Sequence, residues 1–359
     1  MKNIFFTVGP TQTHPRLGEF LNDGLKKGIY SISHRGREFG GIFAHTVSSL
    51  KKLLNVPEYF HVFFIGSATE AIELVIENCV NDKSFHFVNG AFAKRFFDTA
   101  KELRKHPLKC EVPFGEGFGL ANAAIPSDAE LVCITQNETS TGVEFDMQDI
   151  GALKRVNPEK LFAVDIVSSA PYASVDWSAV DCAFFSVQKG FGMPSGLGIL
   201  IVNDKCIKKA EELHGKGMNI GSFHNFPALL KYAGKRQTPE TPNIMAIYLL
   251  GRVCDSYIKY RLKKIQKETE EKARLLYKFL DSNPKYSAFV KQPKWRSKTV
   301  IVAETPEGSA KVIKKLSAKG LIVGAGYGEF KDKHIRIGNF PMHKLADMKK
   351  ILKVLQICI

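Results

Sequence analysis

No uninterrupted apolar run of about 18 residues or more occurs in the 359-residue sequence, so no segment has the length of a membrane-spanning helix. The first residues, Met1 to Pro10, carry too short an apolar run for a signal peptide and break at once at Gly9-Pro10. Cysteine is sparse, with seven at positions 79, 110, 133, 182, 206, 254 and 358, and no CxxC pair. An odd count at wide spacing argues against a disulfide framework or a zinc ribbon, and leaves reduced thiols in a cytoplasmic protein as the expectation. Internal repeats and low-complexity stretches are missing. So are GxSxG, HExxH, GxxxxGK[ST] and a strict GxGxxG; the glycines at 190, 192 and 196, and at 324, 326 and 328, have other spacings. Hydrolase, metalloprotease and P-loop readings therefore have no motif behind them. The ten histidines form no ligand pair at helical spacing, and no metal site is expected.

What is present is ordinary for a globular chain: 44% hydrophobic and 24% charged residues. At roughly 150 residues per domain the length suits two domains. The net charge of +15 is lopsided. Residues 1–200 hold 19 Lys/Arg against 22 Asp/Glu, and residues 201–359 hold 32 against 14. A basic half suits nucleic acid, a membrane surface or small anions. Its lysines, however, are scattered over amphipathic stretches such as 257–265, and no zinc-finger, RNP-like or helix-turn-helix pattern accompanies them. A solvated helix face is the simpler reading, with nucleic acid the weaker alternative.

Up to about residue 203, short β-rich runs alternate with helical patterns, which predicts a mostly parallel α/β sheet. Strands are expected at 61–65, 85–88, 131–135, 161–167, 183–187 and 198–202, and helices at 70–79, 91–105 and 149–156. Several of these runs are continuously apolar, as for a sheet covered on both faces. Beyond Thr238-Pro239-Glu240-Thr241-Pro242 one long helical stretch is expected to about Leu280. Strands at 299–303 and 335–337 with helices at 307–319 and 344–355 then predict a smaller α+β domain, with the boundary near 250.

Chemistry concentrates at strand ends. The apolar run Ala183–Val187 stops at Gln188-Lys189-Gly190, and a lysine at a strand terminus of an α/β sheet sits where ligands bind. A sheltered amine there loses its proton readily and can form a Schiff base; a plain surface lysine is the bland alternative. Asp165, ending the apolar run that begins at Leu161, is costly to bury without a cation. A pyridinium nitrogen is such a cation, and a lysine Schiff base with an aspartate is the arrangement for pyridoxal phosphate. Gly66-Ser67-Ala68-Thr69-Glu70, between a strand and a helix, suits either an anion or a merely capped helix. Phe92, after the next strand, could lie over an aromatic ring or belong to the core.

Together these residues carry a resemblance. In order along the chain, Gly9-Pro10, Ser33-His34-Arg35-Gly36-Arg37-Glu38-Phe39, Asn137-Glu138-Thr139, Asp165 with Ser168-Ser169, Gln188-Lys189 and Thr241-Pro242 resemble the class V pyridoxal-phosphate aminotransferases, and most of all the phosphoserine aminotransferases among them. The resemblance runs nearly end to end. It implies the fold type I architecture of pyridoxal-phosphate transferases, a large doubly wound domain at 14–250 and a small α+β domain from 1–13 and 251–359. It implies that Lys189 holds the cofactor and shuttles the proton while Asp165 keeps the ring nitrogen protonated. Phe92 stacks on the ring in place of a tryptophan, and Thr139 bonds near the ring hydroxyl or phosphate. Ser67, Ala68 and Gln188 hold the phosphate, with Thr241 and the neighbouring Glu240 contributed across a homodimer interface. Arg336 clamps the substrate α-carboxylate, and His34 and Arg35 reach its distal anionic group. The implied reaction is 3-phosphohydroxypyruvate plus glutamate giving O-phosphoserine plus 2-oxoglutarate.

Three positions depart from that pattern: Ala68 where the family has arginine, Gly324–Gly328 where it has a His-Arg pair, and Glu240 where it has asparagine. The first two remove positive charge from substrate-phosphate recognition, and the third puts an acid where the family meets the cofactor phosphate. A class V aminotransferase for serine or alanine with glyoxylate is thus the alternative enzyme. A cysteine desulfurase would need a nucleophilic cysteine between Cys254 and Cys358, and there is none. A basic anion- or nucleic-acid-binding protein on the same scaffold is the alternative from another class, and retention of Lys189 and Asp165 argues against it.

Overall fold

The computed structural model describes residues 3–119 and 124–357. In chain order the first half comprises β1 (Ile4–Phe6), α1 (Leu17–Lys26), α2 (Arg37–Leu54), β2 (Phe60–Ile65), α3 (Ala68–Cys79), β3 (Ser84–Val88), α4 (Ala91–Glu102), β4 (Leu108–Glu111), β5 (Leu131–Thr135), the short pair β6 (Asn137–Glu138) and β7 (Val143–Glu144), and α5 (Met147–Val156). It continues with β8 (Leu161–Asp165), β9 (Cys182–Ser186), β10 (Gly198–Asn203), α6 (Asp204–Gly215), α7 (Phe226–Ala233), α8 (Ile244–Tyr260) and α9 (Leu262–Ser282). The last part is β11 (Ser287–Ala288), β12 (Val300–Glu304), α10 (Ser309–Ser317), β13 (Leu321–Ala325), β14 (His334–Gly338) and α11 (Leu345–Ile357).

Seven strands form the larger sheet in the order β2-β10-β9-β8-β5-β3-β4. All are parallel except β10, which runs antiparallel to both neighbours. The doubly wound, mostly parallel fold expected from the alternating pattern is the one found. Its continuously apolar strands have a simple cause. Phe162 and Val164 of β8, with Ala183 and Phe185 of β9, face one core under α2, α5 and α8. Their neighbours Leu161, Ala163, Cys182 and Phe184 face a second core under α3, α4 and α6. With both faces covered, every position must be apolar. β8 ends two residues before the expected Val167, because the Val167 N–H turns back to donate to Asp165 Oδ1 at 2.8 Å.

The smaller sheet has the order β1-β13-β14-β12-β11 and packs against α9, α10 and α11. The single long helix expected after residue 242 is two helices. Arg261 breaks it with φ +73°, outside helical space. The physical reason is divided loyalty: Val253, Cys254 and Tyr257 of α8 pack in the larger core, whereas Ala273, Leu276 and Leu280 of α9 pack in the smaller one. The boundary expected near 250 lies within α8, and α9 still lends Ile265 to the larger core before Ala273 begins its contact with the smaller one. Among the described residues no helix is long and apolar enough to cross a membrane, and the six described cysteines are free; Cys358 lies outside the described residues.

His343 ties the two ends of the chain together. Its Nδ1 accepts from the Phe340 N–H at 3.0 Å, so Nε2 carries the proton and donates to the Phe5 carbonyl at 2.8 Å. Burial is the main cause that lowers its pKa from 6.5 to about 4. Because the folded state resists the proton that the unfolded chain accepts, this contribution is complete above pH 6.5 and is lost as pH falls from there toward about 4. The unfolding free energy from urea titrations should therefore drop on acidification in that window, by about 1.4 kcal/mol per pH unit from His343. His343→Asn, which takes up no proton, should lose less over the same interval.

Candidate active site

Parallel topology sends the carboxyl ends of β2, β3, β5, β8 and β9 to one edge, where open α/β sheets bind ligands. Ser67 follows β2, Phe92 follows β3, Thr139 follows β5, Asp165 ends β8 and Lys189 follows β9. Sequence-distant residues thus meet because their strands are neighbours. Lys189 and Asp165 are each only 6% exposed, which removes the surface-lysine reading. The Lys189 ammonium donates to Thr139 Oγ1 at 2.7 Å and lies 5.2 Å from the Phe92 ring centre. Gly9 adopts φ +137° and passes so close that a Cβ there would lie 2.8 Å from Lys189 Cε.

Electrostatics divide the pair's labour. Burial lowers the pKa of Lys189, against the pull of Asp165 and then Glu138, and Arg336 lowers it further. Burial likewise raises that of Asp165, opposed by the Val167 N–H and Lys189. The amine is accordingly easier to deprotonate than an ordinary lysine, the condition for nucleophilic and base chemistry. The carboxyl lacks a cationic partner strong enough to restore its usual acidity. A protonated ring nitrogen is of that kind, so the pair fits a pyridoxal cofactor. Gln188 Oε1 adds a buried acceptor with no hydrogen-bond partner among the described residues.

Arg336 enters from β14 of the smaller sheet. Its Nε donates to the Ala325 carbonyl at 2.8 Å and NH1 to the Thr139 carbonyl at 3.3 Å, with the guanidinium 5.3 Å from the centre of the Tyr327 ring. Tyr327 in turn sits 5.7 Å from Phe92. Thr139 therefore touches Lys189 with its side chain and Arg336 with its carbonyl, linking the amine to the arginine across the two sheets.

The turn after β2 is more self-contained than expected. Ser67 Oγ accepts the Glu70 N–H at 3.1 Å while Glu70 reaches back to the Gly66 N–H at 2.6 Å, a capping box. Ala68 N–H donates to Ser186 Oγ at 2.8 Å. The capped-helix reading and the anion reading thus share one turn. His34, Arg35, Glu240 and Thr241 form a separate group, none of it hydrogen-bonded to Lys189 or Asp165 among the described residues. Arg35 is held by the 237–239 segment. Its NH1 donates to Gln237 Oε1 at 3.1 Å and to the Thr238 carbonyl at 2.7 Å, and its NH2 to the Pro239 carbonyl at 2.8 Å. Thr241 is exposed.

Sequence reasoning gave no role of their own to Glu138, Glu70, His224 and Tyr327. Ser67-x-x-Glu70 is a readable capping signature; the others carry no local signal. Glu138 is fully buried. Its Oε2 accepts from the Phe92 and Ala93 N–H groups at 3.0 and 2.9 Å, and its Oε1 from the Ser140 N–H and hydroxyl at 2.9 and 2.7 Å. The carboxylate thereby caps α4 and holds Phe92, favoured by the helix dipole. A Cβ at Gly90 would lie 2.3 Å from Glu138 Cγ, so only glycine lets the strand end approach. Glu138→Ala should orphan these buried donors and cost at least about 3 kcal/mol in urea unfolding. An unchanged midpoint would show that α4 needs no such cap.

Residues 108–330 match the family described as aminotransferase class V. The chain is similar to the crystal structure of a phosphoserine aminotransferase from Cytophaga hutchinsonii, with a TM-score of 0.97, 43% identity and 99% of both chains covered. It is 25% identical over 352 residues to a phosphoserine aminotransferase of Rhodococcus opacus, covering 97% of this chain and 93% of the relative. An uncharacterized aminotransferase of Methanocaldococcus jannaschii is 28% identical over 356 residues, covering 94% of this chain and 88% of the relative.

Proposed function

The chain belongs to the class V family of aminotransferases, enzymes that use pyridoxal 5'-phosphate, and from that premise we propose that it transfers the amino group of glutamate to 3-phosphohydroxypyruvate. The observation that carries the reading is the buried Lys189–Asp165 pair on adjacent strand ends, joined through Thr139 to Arg336. The names of the relatives supply the substrate.

The chemistry a bound pyridoxal phosphate supplies is an electron sink for the substrate α-carbon. This chain's residues do the rest. Lys189 binds the cofactor and, with its lowered pKa, takes and returns the proton at the α-carbon. Thr139 Oγ1 orients that amine. Asp165 holds the ring nitrogen protonated, and Phe92 covers the ring face beside the Lys189 ammonium. Arg336, restrained by two carbonyls, presents its remaining donors to the α-carboxylate. The turn at Ser67 and Ala68, together with Gln188, receives the cofactor phosphate, and His34 and Arg35 serve the distal anion.

The homodimer is part of the same proposal. Leu21, Leu25 and Tyr30 on and after α1 are 39%, 48% and 62% exposed, an apolar surface of the kind a partner covers. Thr241 lies exposed on the loop expected to cross to a second subunit. Transamination of an unphosphorylated amino acid is the second reading, and one observation favours it: three Arg35 hydrogen bonds are committed to residues 237–239.

Lys189→Ala should abolish transamination and the yellow cofactor colour without unfolding the chain; near-normal turnover would overturn the assignment. O-phosphoserine, serine and alanine assayed side by side as amino donors decide the substrate. A kcat/KM for O-phosphoserine at least about a hundredfold above the others is expected, since only a substrate with a distal anion gives His34 and Arg35 a charge-assisted partner. A preference for serine or alanine would establish the second reading.

A further inference from the structure

His224 stands between two carboxylates at the start of α3. Its Nδ1 lies 2.5 Å from Glu70 Oε1, and its Nε2 lies 4.0 Å from Glu240 Oε2. Both Nε2 and Glu240 Oε2 are buried without a hydrogen-bond partner among the described residues. Glu70 belongs to the capping box that also grips the Gly66 N–H, and Glu240 belongs to the 237–241 loop. One imidazole thus spans the turn after β2 and the loop that carries Thr241.

The charge state follows from the geometry. A neutral ring donating from Nδ1 to Glu70 would aim the Nε2 lone pair at the Glu240 carboxylate, with nothing else to satisfy either. In the imidazolium both nitrogens carry protons, and each faces an anion. Other charged groups close in from neighbouring elements. Glu77 of α3 comes within 3.6 Å of where a Cβ on Gly221 would lie, His34 lies near enough to Glu240 to feel its charge, and Arg35 holds the Thr238 and Pro239 carbonyls from the far side of the loop. Burial, which lowers the pKa of His224, is outweighed by Glu70 and then Glu240, and the net direction is upward.

We propose that His224 is a positioning residue which, as an imidazolium, ties the 237–241 loop to the start of α3 and offsets the charge of Glu70 at the turn that receives a phosphate and of Glu240 on the loop that reaches one. The inference rests on the reading that this turn receives the cofactor phosphate. Ala68 brings no charge to the turn, and Glu70 and Glu240 are both anionic. Without the imidazolium a phosphate at the turn would meet an uncompensated Glu70, and a phosphate reached by the loop an uncompensated Glu240. The imidazolium is present at low pH and lost as pH rises through the raised pKa of His224, so phosphate retention weakens in that direction.

Fluorescence titration of the purified cofactor-free chain with pyridoxal 5'-phosphate and with pyridoxal, between pH about 6.5 and about 9, tests this on wild type, His224→Gln, Glu240→Gln and the double variant. His224→Gln should bind pyridoxal 5'-phosphate about tenfold or more weakly at the low end, lose the part of the pH dependence due to His224, and bind pyridoxal as the wild type does. Glu240→Gln should keep its affinity at high pH where the wild type has lost it, and the double variant should regain much of what His224→Gln lost. Equal affinities of His224→Gln and wild type for pyridoxal 5'-phosphate, or equal losses for both ligands, would overturn the proposal. Should His224→Gln fail to fold by circular dichroism, the Glu240→Gln profile decides alone, and one parallel to the wild type overturns it. A wild type that binds neither ligand overturns the functional reading itself, and this inference with it.

Discussion

An ammonium and a carboxylate taken out of water at the ends of adjacent strands set the terms for everything around them. Lys189 and Asp165 are placed there by β9 and β8, neighbours in a sheet whose two faces are both covered by helices. Burial pushes each toward its neutral form, and their mutual attraction resists. Such a pair is expensive unless further polar groups surround it. Thr139 Oγ1 and the Val167 N–H provide that company on this side of the site, and the cationic ring nitrogen of the proposed cofactor would complete it.

Helix starts pose the opposite problem, too many donors rather than too few. Around the site the chain answers with its own carboxylates. Glu138 caps α4 from across the β5 edge, and Glu70 takes up the Gly66 N–H just ahead of α3, whose first turn Ser67 caps. The first solution stiffens the backbone beneath Phe92. The second places negative charge at a turn proposed to receive phosphate, and it accounts for the cation spanning Glu70 and Glu240. Capping and anion binding compete for the same N–H groups, so the balance between them depends on side chains brought from elsewhere.

The two sheets meet chemically through Thr139, whose hydroxyl and carbonyl face Lys189 and Arg336. Arg336 reaches the site because β14 lies at the centre of the small sheet, between β13 and β12. The helical connection between sheets breaks at Arg261, and α9 then runs from the larger core at Ile265 into the smaller one from Ala273 on. A straight helix there could not bury both apolar faces.

By itself, the sequence determined six of the seven strands of the larger sheet and the helices α3, α4 and α5 among them, since a period of two or 3.6 in apolar residues is a local property that survives in any context. It also determined which residues were chemically unusual: an aspartate closing the run from Leu161 and a lysine following the run to Val187 stand out against their apolar neighbours. Ser67-x-x-Glu70 was legible for the same reason, because a capping box is written within four residues. What only the tertiary structure decided involves pairs far apart in the chain. Glu138 beneath Phe92, His224 between Glu70 and Glu240, and Arg35 on the 237–239 carbonyls depend on strand order and loop approach. No periodicity encodes those. The break at Arg261 belongs with them: the amphipathic pattern runs through it on both sides, and only the positions of two separate cores dictate that the chain must turn.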